Sequence, residues 1–292
     1  MTVASFASSI LNRVADPSWN QPLEKRLAQA EAQVREQPVV GGHRWILFQL
    51  LCVLECWDRA VQQLQVCAQL SPELATVALA YRDLIREERR RARVLTGCER
   101  PGFVFDTPSW VDGLLDALRF AAAGELDEAD IARQRALDEA PLVPVRNSER
   151  RLDWIADSDS RLGPVCELIT AGCYRWLPFS DISAWHVEPP TTLLDLIWTP
   201  CVLTLVDGSA VRGFMPARYP SVANAAGDRD ESDALLLGRK TIWQEVGLTG
   251  VIAEGQKTWV TSAGDFSLFE LPTCDFGQRI AGYEDAQKDG HR

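Results

Sequence analysis

The sequence predicts an α+β protein, with N-terminal tetratricopeptide-like helical hairpins packed on a C-terminal mixed α+β lobe with antiparallel hairpins. Proline recurs with a helical-hairpin period, because Pro72 lies 34 residues after Pro38 and Pro141 lies 69 residues after Pro72. Beyond Pro144 the helical period fades, and alternating β-branched runs with turn residues replace it. A chain of 292 residues with 46% apolar residues can bury two packed lobes.

These observations divide the chain into two expected domains. We expect a helical, tetratricopeptide-like domain over residues 1–141 and an α+β domain over residues 150–282, with a linker near 141–150. In the first domain, residues 57–70 and 73–95 carry apolar side chains at helical spacing, so each should bury one face.

Other segments of the helical half carry their own signals. Residues 44–54 are apolar nearly all round, which a helix tolerates only where neighbours or a ligand cover several sides. Segments 55–72 and 124–141 both place Ala at the sixth position and Pro at the eighteenth, so Ala60 and Ala129 are the expected close-approach points.

Two further features of this half give predictions about helix ends and exposure. Thr107 as N-cap, with Pro108 in the first turn, should start a helix that Gly124 ends. Residues 87–93 (EERRRAR) predict a solvated stretch of a long helix with i,i+4 ion pairs. The alternative for this run is a patch for an acidic partner segment.

The second half predicts two hairpins, one short helix and one loop. Residues 201–215 should form a hairpin with its turn at Asp207-Gly208, and residues 258–271 another with its turn at 263–265. We expect a short helix over 162–172, closed by its terminal glycine, and a polar loop over 221–234.

Composition excludes several classes of protein. The net charge of −11, with no basic excess in either half, argues against a nucleic-acid binder. The start of the chain lacks a signal-peptide pattern and no long apolar run follows, so we expect a cytoplasmic protein without a membrane segment. The eight cysteines form no C-x-x-C pair and sit mostly in apolar runs, which predicts core thiols and no metal or other cofactor.

The most enzyme-like group is the acidic run in 154–164 (WIADSDSRLGP). Asp157 and Asp159 with Arg161 describe a polar turn in which an Asp caps a following helix and Arg neutralises it. The alternative is a metal-dependent hydrolase that uses these two aspartates and His186. The chain contains neither a G-x-S-x-G elbow nor a phosphate-binding G-x-x-x-x-G-K-[ST] loop, so we expect a protein that is not an enzyme.

Long motifs give the chain a resemblance to a known family. Residues 154–179, 189–200, 213–220 and 237–243 resemble the ImpE family, also called TagJ or SciE, which is accessory to bacterial type VI secretion; 43–64 fits as well. The resemblance implies a cytosolic, non-catalytic partner of the contractile sheath. It further implies binding to a helical segment of the small sheath subunit and a functional link to the AAA+ ATPase that recycles contracted sheath.

The candidates for a partner-binding surface fall in two groups. One group carries more apolar surface than a helical face can bury: Trp45, Phe48, Leu51 and Trp57. The other combines charge with aromatic area inside the family-like motifs: Arg218, Tyr219, Arg239 and Trp243. Ordinary core packing is the alternative for the first group, and buried hydrogen-bonded scaffolding for the second. In the first repeat unit Arg26 and Glu55 replace a small residue and a Gly of the family pattern.

Overall fold

The computed structural model describes residues 21–221 and 229–277. Within them lie seven α-helices, six of which precede the sheets. The helices are α1 Leu23–Glu36, α2 Gly41–Val53, α3 Trp57–Leu70, α4 Ala75–Leu95, α5 Ser109–Ala123, α6 Leu126–Glu139 and α7 Arg229–Leu236. The strands are β1 Val145–Arg146, β2 Arg151–Leu152, β3 Ile155–Asp157, β4 Val165–Thr170, β5 Cys173–Pro178, β6 Ile182–Val187, β7 Trp198–Leu205, β8 Ala210–Pro216, β9 Arg218–Tyr219, β10 Thr241–Val246, β11 Gly250–Gln256, β12 Thr258–Thr261, β13 Gly264–Ser267 and β14 Thr273–Phe276.

The strands form three antiparallel sheets. The largest has eight strands in the order β2-β1-β14-β6-β7-β8-β4-β5. Two three-stranded sheets have the orders β10-β11-β9 and β13-β12-β3. The predicted α+β class, with helices first and antiparallel hairpins after, is confirmed.

The helices pack as hairpins in chain order. Helix α2 packs against α1 and α3, α3 against α4, and α5 against α6. The predicted period has a local cause: Pro38, Pro72 and Pro141 each follow a helix end by two residues, after α1, α3 and α6. Glu55 and Gly124, which precede the second helix of a pair, both have positive φ, at 55° and 81°. The tetratricopeptide classification of these hairpins stays a prediction.

The helical segments and both hairpins follow the predictions closely. Helix α3 spans the predicted residues 57–70, and Ala60 and Ala129 are fully buried, as close helix packing requires. Strands β7 and β8 pair around Asp207-Gly208, as predicted. Strand β12 pairs with β13, but the turn lies at 262–263 and not at 263–265, because Gly264 already pairs with Thr261. Helix α5 ends at Gly124, but it starts after Pro108, so Thr107 is not its N-cap.

Three predictions in the second half need correction. Residues 162–172 contain strand β4, not a helix: its residues are buried on both faces, so no alternation marks them as a strand. The segment 171–172 forms the turn to β5, with positive φ at both residues. The expected loop 221–234 contains the start of α7, while 222–228 lie outside the described residues. The expected linker 141–150 contributes β1 to the large sheet.

One continuous core joins the two halves of the chain. Helix α2 is covered on most sides by the protein itself, with Leu47, Phe48 and Leu50 to Val53 all buried. The Trp198 ring of β7 lies 5.7 Å from Trp57 and 6.5 Å from Tyr81, measured between ring centroids. A second core fills the sheet lobe around Trp185 and Trp259, which stack at 5.4 Å. The helical hairpins therefore use the large sheet as part of their interior.

The cysteines are free thiols, and five of them are buried: Cys52, Cys67, Cys166, Cys201 and Cys274. These five match the predicted core thiols. Across 21–221 and 229–277, no helix combines the length and apolar character needed to cross a bilayer.

Candidate partner-binding surface

The first group of candidate residues lies in the core. The side chains of Phe48 and Leu51 are completely buried, and Trp45 is 4% exposed. Trp57 is half-buried against Trp198 of the large sheet. The apolar excess of this segment is therefore covered largely by the protein itself. Trp45 and Phe48 pack against Tyr81 of α4, and of the four candidates Trp57 alone keeps part of its surface exposed.

The second group divides between interior and surface. Arg218 and Tyr219 on β9 are buried, with 3% and 1% of their surface exposed. Arg218 donates to the backbone carbonyls of Leu236 and Cys52, which ties the sheet lobe to α2. Arg239 is exposed. Trp243 on β10 is 47% exposed. Arg239 and Trp243 are therefore the two residues of this group that a partner could contact.

A buried network of charges joins α4 to the sheet lobe. Arg91 donates from Nε to Glu167 Oε1 at 2.7 Å and from Nη2 to Oε2 at 2.8 Å. The same guanidinium donates to Glu88 Oε1 at 2.9 Å, and Trp198 Nε1 donates to the other oxygen of Glu88 at 2.8 Å. Although burial opposes ionisation, Arg91 and Lys257 lower the pKa of Glu167 well below its ordinary value.

This network corrects the prediction for residues 87–93. Glu87, Glu88 and Arg91 are buried rather than solvated. Glu87 accepts the backbone N–H of Tyr174 at 2.8 Å, so the acidic end of the run also contacts the sheet. The signal that could have revealed this is Glu167, an acid inside the otherwise apolar strand β4, which must be paired when it is buried.

Lys257 extends the network to the aspartate motif. Its Nζ lies 2.6 Å from Asp157 Oδ2 and also pairs with Glu167. Asp157 Oδ1 accepts the Tyr219 hydroxyl at 2.6 Å and the backbone N–H of Asp159 at 2.9 Å. Burial raises the pKa of Asp157 to about 6 despite the opposing charge of Lys257.

The aspartates do not form a metal site. Asp159 pairs with Arg161 Nε at 2.9 Å and accepts the backbone N–H of Ala253 at 3.1 Å. His186 is exposed on β6 in the large sheet, whereas Asp157 is buried in the β13-β12-β3 sheet. Among the residues that the structure describes, no group of three His, Cys, Asp or Glu side chains is arranged to hold a metal ion. The hydrolase hypothesis is therefore wrong, because its three side chains do not converge around an open pocket.

The polar-turn interpretation of this motif holds with one change. Arg161 neutralises Asp159, and the aspartates accept backbone N–H groups of their own turn, at Asp159 and Arg161. The turn leads into strand β4, so neither aspartate caps a following helix.

Two exposed aliphatic side chains lie together outside the core, and neither was predicted from the sequence as a binding residue. Ile131 on α6 is 70% exposed, and Leu248 in the turn between β10 and β11 is 91% exposed. They line one hollow of about 580 Å³ between α6 and that turn. The sequence does indicate that Ile131 is exposed, because this residue lies outside the inward-facing stripe that contains Ala129 and Ala136.

The turn that carries Leu248 is fastened to α6. Asp130 Oδ2 accepts the Leu248 N–H at 2.7 Å, and Oδ1 accepts the Thr249 N–H at 3.0 Å and its hydroxyl at 2.8 Å. These bonds, led by that of Leu248, lower the pKa of Asp130 to about 2. Arg133 pairs with the same carboxylate at 2.9 Å. Leu248 is thus presented on a backbone that is held in place.

A groove runs along the other side of α6, between it and α5. Its volume is about 510 Å³, and Phe120, Ala132 and Ile131 contribute apolar lining. The helices approach closely there, since a Cβ at Gly113 would lie 3.1 Å from the Ala136 Cβ. We call the two hollows and the exposed residues between them the α6 surface; Ile131, Arg135 and Glu139 border both hollows.

A third hollow lies where the two halves of the chain meet. It has a volume of about 450 Å³, and Leu95, Leu118 and Ile252 supply apolar lining. Its two arginines, Arg133 and Arg161, are already paired with Asp130 and Asp159. Their charges are therefore engaged within the protein.

Comparison with known proteins places this arrangement among relatives. The family model described as ImpE protein matches residues 149–275. The type VI secretion system accessory component TagJ of Pseudomonas aeruginosa is 40% identical over 254 residues, covering 87% of each chain. The crystal structure of protein VPA1032 from Vibrio parahaemolyticus has a TM-score of 0.79 and covers 89% of this chain and 95% of its own. At 21% identity, that likeness shows the fold alone.

Proposed function

Because this chain belongs to the ImpE family, we propose that it is a non-catalytic accessory adaptor of bacterial type VI secretion that binds a helical segment of the small contractile-sheath subunit. Its 40% identical relative is named an accessory component of that system, and the similarity covers 87% of the chain. The association with the small sheath subunit is what the family resemblance of the four C-terminal motifs implies. A cytoplasmic location is part of what the family resemblance implies, and we propose it for this chain.

One structural observation favours an adaptor over an enzyme. The α6 surface exposes Ile131 and Leu248 beside two hollows, whereas the polar groups of the aspartate motif are already paired inside the protein. Recognition of an amphipathic helix needs exposed apolar anchors in a groove, and it needs no catalytic group. The geometry therefore suits binding better than chemistry.

Calorimetric titration of the full chain with the purified small sheath subunit tests this function. We expect saturable binding by the intact subunit and by a synthetic peptide of one of its helical segments. The control peptide has the same composition in scrambled order, so that it keeps charge and apolar content but loses the stripe. Absence of binding up to several hundred micromolar, for subunit and peptides alike, would remove the proposed partner.

The link to sheath recycling needs a separate assay. We propose that the bound adaptor alters how fast the AAA+ ATPase disassembles contracted sheath. Light scattering can follow the disassembly of purified sheath by the ATPase, with and without this chain. A rate that the chain leaves unchanged at saturating concentration would restrict its role to binding the subunit.

A further inference from the structure

We propose that the α6 surface is the docking site, and that its occupant is an amphipathic helix whose apolar stripe is flanked by Lys and Arg. This inference rests on the proposed function in one respect, that the partner presents a helix. The location and the charge of the partner come from the surface itself.

The apolar anchors are rigid, which favours binding. Leu248 is 91% exposed, yet its backbone N–H and that of Thr249 are both held by the Asp130 carboxylate. Ile131 projects from the middle of α6, whose backbone is also fixed. An anchor on a fixed backbone loses little conformational entropy when a partner covers it. Isolated exposed aliphatics are common, but two on one hollow form a patch.

The dimensions of the α6 surface suit one helix. Residues i and i+7 of an α-helix lie about 10.5 Å apart along the axis and share a face. The hollows on the two sides of Ile131 have volumes of about 510 and 580 Å³. Each hollow is large enough to take a large apolar side chain, so both can receive anchors of one helical stripe.

The charges around these hollows select a basic partner. Helix α6 carries five acidic and two basic residues, and α5 carries two acidic and one basic residue. Of the two arginines of α6, Arg133 is buried against Asp130, and Arg135 pairs with Glu139 at 2.8 Å. The exposed rim is therefore acidic, through Glu128 at one hollow and Asp138 at the other. Opposite charges flanking the apolar stripe would steer the partner and set its orientation.

A second copy of this chain fits the surface less well. In a two-fold symmetric contact the same patch faces itself, so acidic residues of α6 would oppose acidic residues of the other α6. Like charges placed together across an interface are costly. A partner of opposite charge avoids this cost.

Paired surface variants test the location. Leu248→Asp and Ile131→Asp put a negative charge on the patch, and Val206→Asp puts one on the 59% exposed valine of the β7–β8 turn. In titrations with the small sheath subunit, we expect each patch variant to weaken binding at least about 10-fold and the control to match the unmodified protein. Equal affinity of Leu248→Asp, Ile131→Asp and Val206→Asp for a subunit that does bind overturns the proposed location and leaves the function standing.

A second probe keeps the inference testable if the sheath subunit does not bind, which would remove the proposed function. Two designed helical peptides of about 18 residues share one leucine stripe and carry either Lys or Glu on their polar face. Fluorescence anisotropy should give tighter binding of the Lys peptide, lost in Leu248→Asp and retained in Val206→Asp. A Glu peptide that binds as well as the Lys peptide, or a Lys peptide indifferent to Leu248→Asp, overturns the assignment.

Discussion

Arg91 on α4 and Glu167 on β4 form a two-point ion pair that fastens the helical hairpins to the large sheet. Both side chains are at most 1% exposed, and their two N–O distances are 2.7 and 2.8 Å. Removing both charges from water is costly, so the pair contributes more to the choice of one docking arrangement than to net stability. Glu88, on the same helix as Arg91, and Lys257, between β11 and β12, also belong to this network.

Arg91→Met should destabilise the protein strongly, because Glu167 and Glu88 would stay buried without their main cation. Loss of one partner of a buried pair typically costs about 3–5 kcal/mol. Chemical denaturation followed by tryptophan fluorescence measures the free energy of unfolding. The matched control is Arg89→Met on the same helix, whose partner Asp58 is 88% exposed. Exposed pairs contribute roughly 0–1 kcal/mol, so equal losses in the two variants would contradict the assigned role of Arg91.

The sequence predicted the elements whose signals are local. The helices showed a 3.6-residue period, and the β7–β8 hairpin showed Asp207-Gly208 between alternating runs. Strand β4 was not predicted because both of its faces are buried, which removes the alternation. Val165 and Ile169 belong to the core shared with the helices, and Cys166 and Leu168 belong to the core of the sheet lobe. The burial of the charges at 87–93 was not predicted for a related reason. Helical spacing puts Glu88 and Arg91 on one face, but only the fold places Glu167 against that face.

The candidate site was harder to predict than the fold. The apolar excess of residues 44–57 was recognised, but part of its cover comes from far along the chain, as Trp198 does for Trp57. Composition and periodicity cannot show such distant cover. Leu248 gave no signal at all, because a single leucine in a turn is ordinary. Its exposure acquires meaning only beside Ile131, which lies 117 residues earlier and borders the same hollow.

Asp157 should make stability depend on pH near 6. Three carboxylates, those of Glu88, Glu167 and Asp157, face the two cations Arg91 and Lys257, and burial raises the pKa of Asp157 from 3.8 to about 6. A folded-state pKa above the unfolded value gives stability that is fully present below about pH 4 and is lost as pH rises through about 6. The loss attributable to this group is on the order of 3 kcal/mol.

Denaturant titrations of the unmodified protein and Asp157→Asn between pH 4 and 7.5 isolate this effect. The difference in unfolding free energy between them should shift in favour of Asp157→Asn as the pH rises. Asp153→Asn, an exposed neighbour in the same segment, is the control and should leave the pH profile unchanged. A difference that stays constant across the range would assign the titration to another group.

Gly213→Ala should weaken the large sheet at the junction of β8 and β4. A Cβ at this position would lie 2.6 Å from the Ile169 carbonyl oxygen, so the two strands would have to separate. Overpacking of this kind typically costs about 1–3 kcal/mol. Gly42→Ala is the control, since the added Cβ meets nothing within 4 Å and the residue lies in α2. Thermal unfolding should show a lower midpoint for Gly213→Ala alone, and equal midpoints would contradict the close approach.

Asp130→Asn should release the amide of Leu248 while leaving that of Thr249 protected. Asp130 Oδ1 serves the Thr249 N–H, the Thr249 hydroxyl and Arg133, so the remaining oxygen of an asparagine should keep that position. Its NH₂ group then faces the Leu248 N–H, which loses its acceptor. A hydrogen bond to a charged group is worth about 1.5–3 kcal/mol, so hydrogen exchange at Leu248 should accelerate at least about 10-fold.

The same bond links the turn to pH and to the proposed docking site. Because the folded-state pKa of Asp130 is lowered from 3.8 to about 2, its stabilising contribution is present above about pH 4 and is lost as pH falls through about 2. At neutral pH only the substitution should free the turn, and a mobile Leu248 should bind a partner helix more weakly. Residue-resolved exchange by NMR, with Asp127→Asn on the same helix as control, measures the release. Unchanged exchange at Leu248 would show that the turn is held by its strands rather than by Asp130, and would contradict the role assigned to this carboxylate.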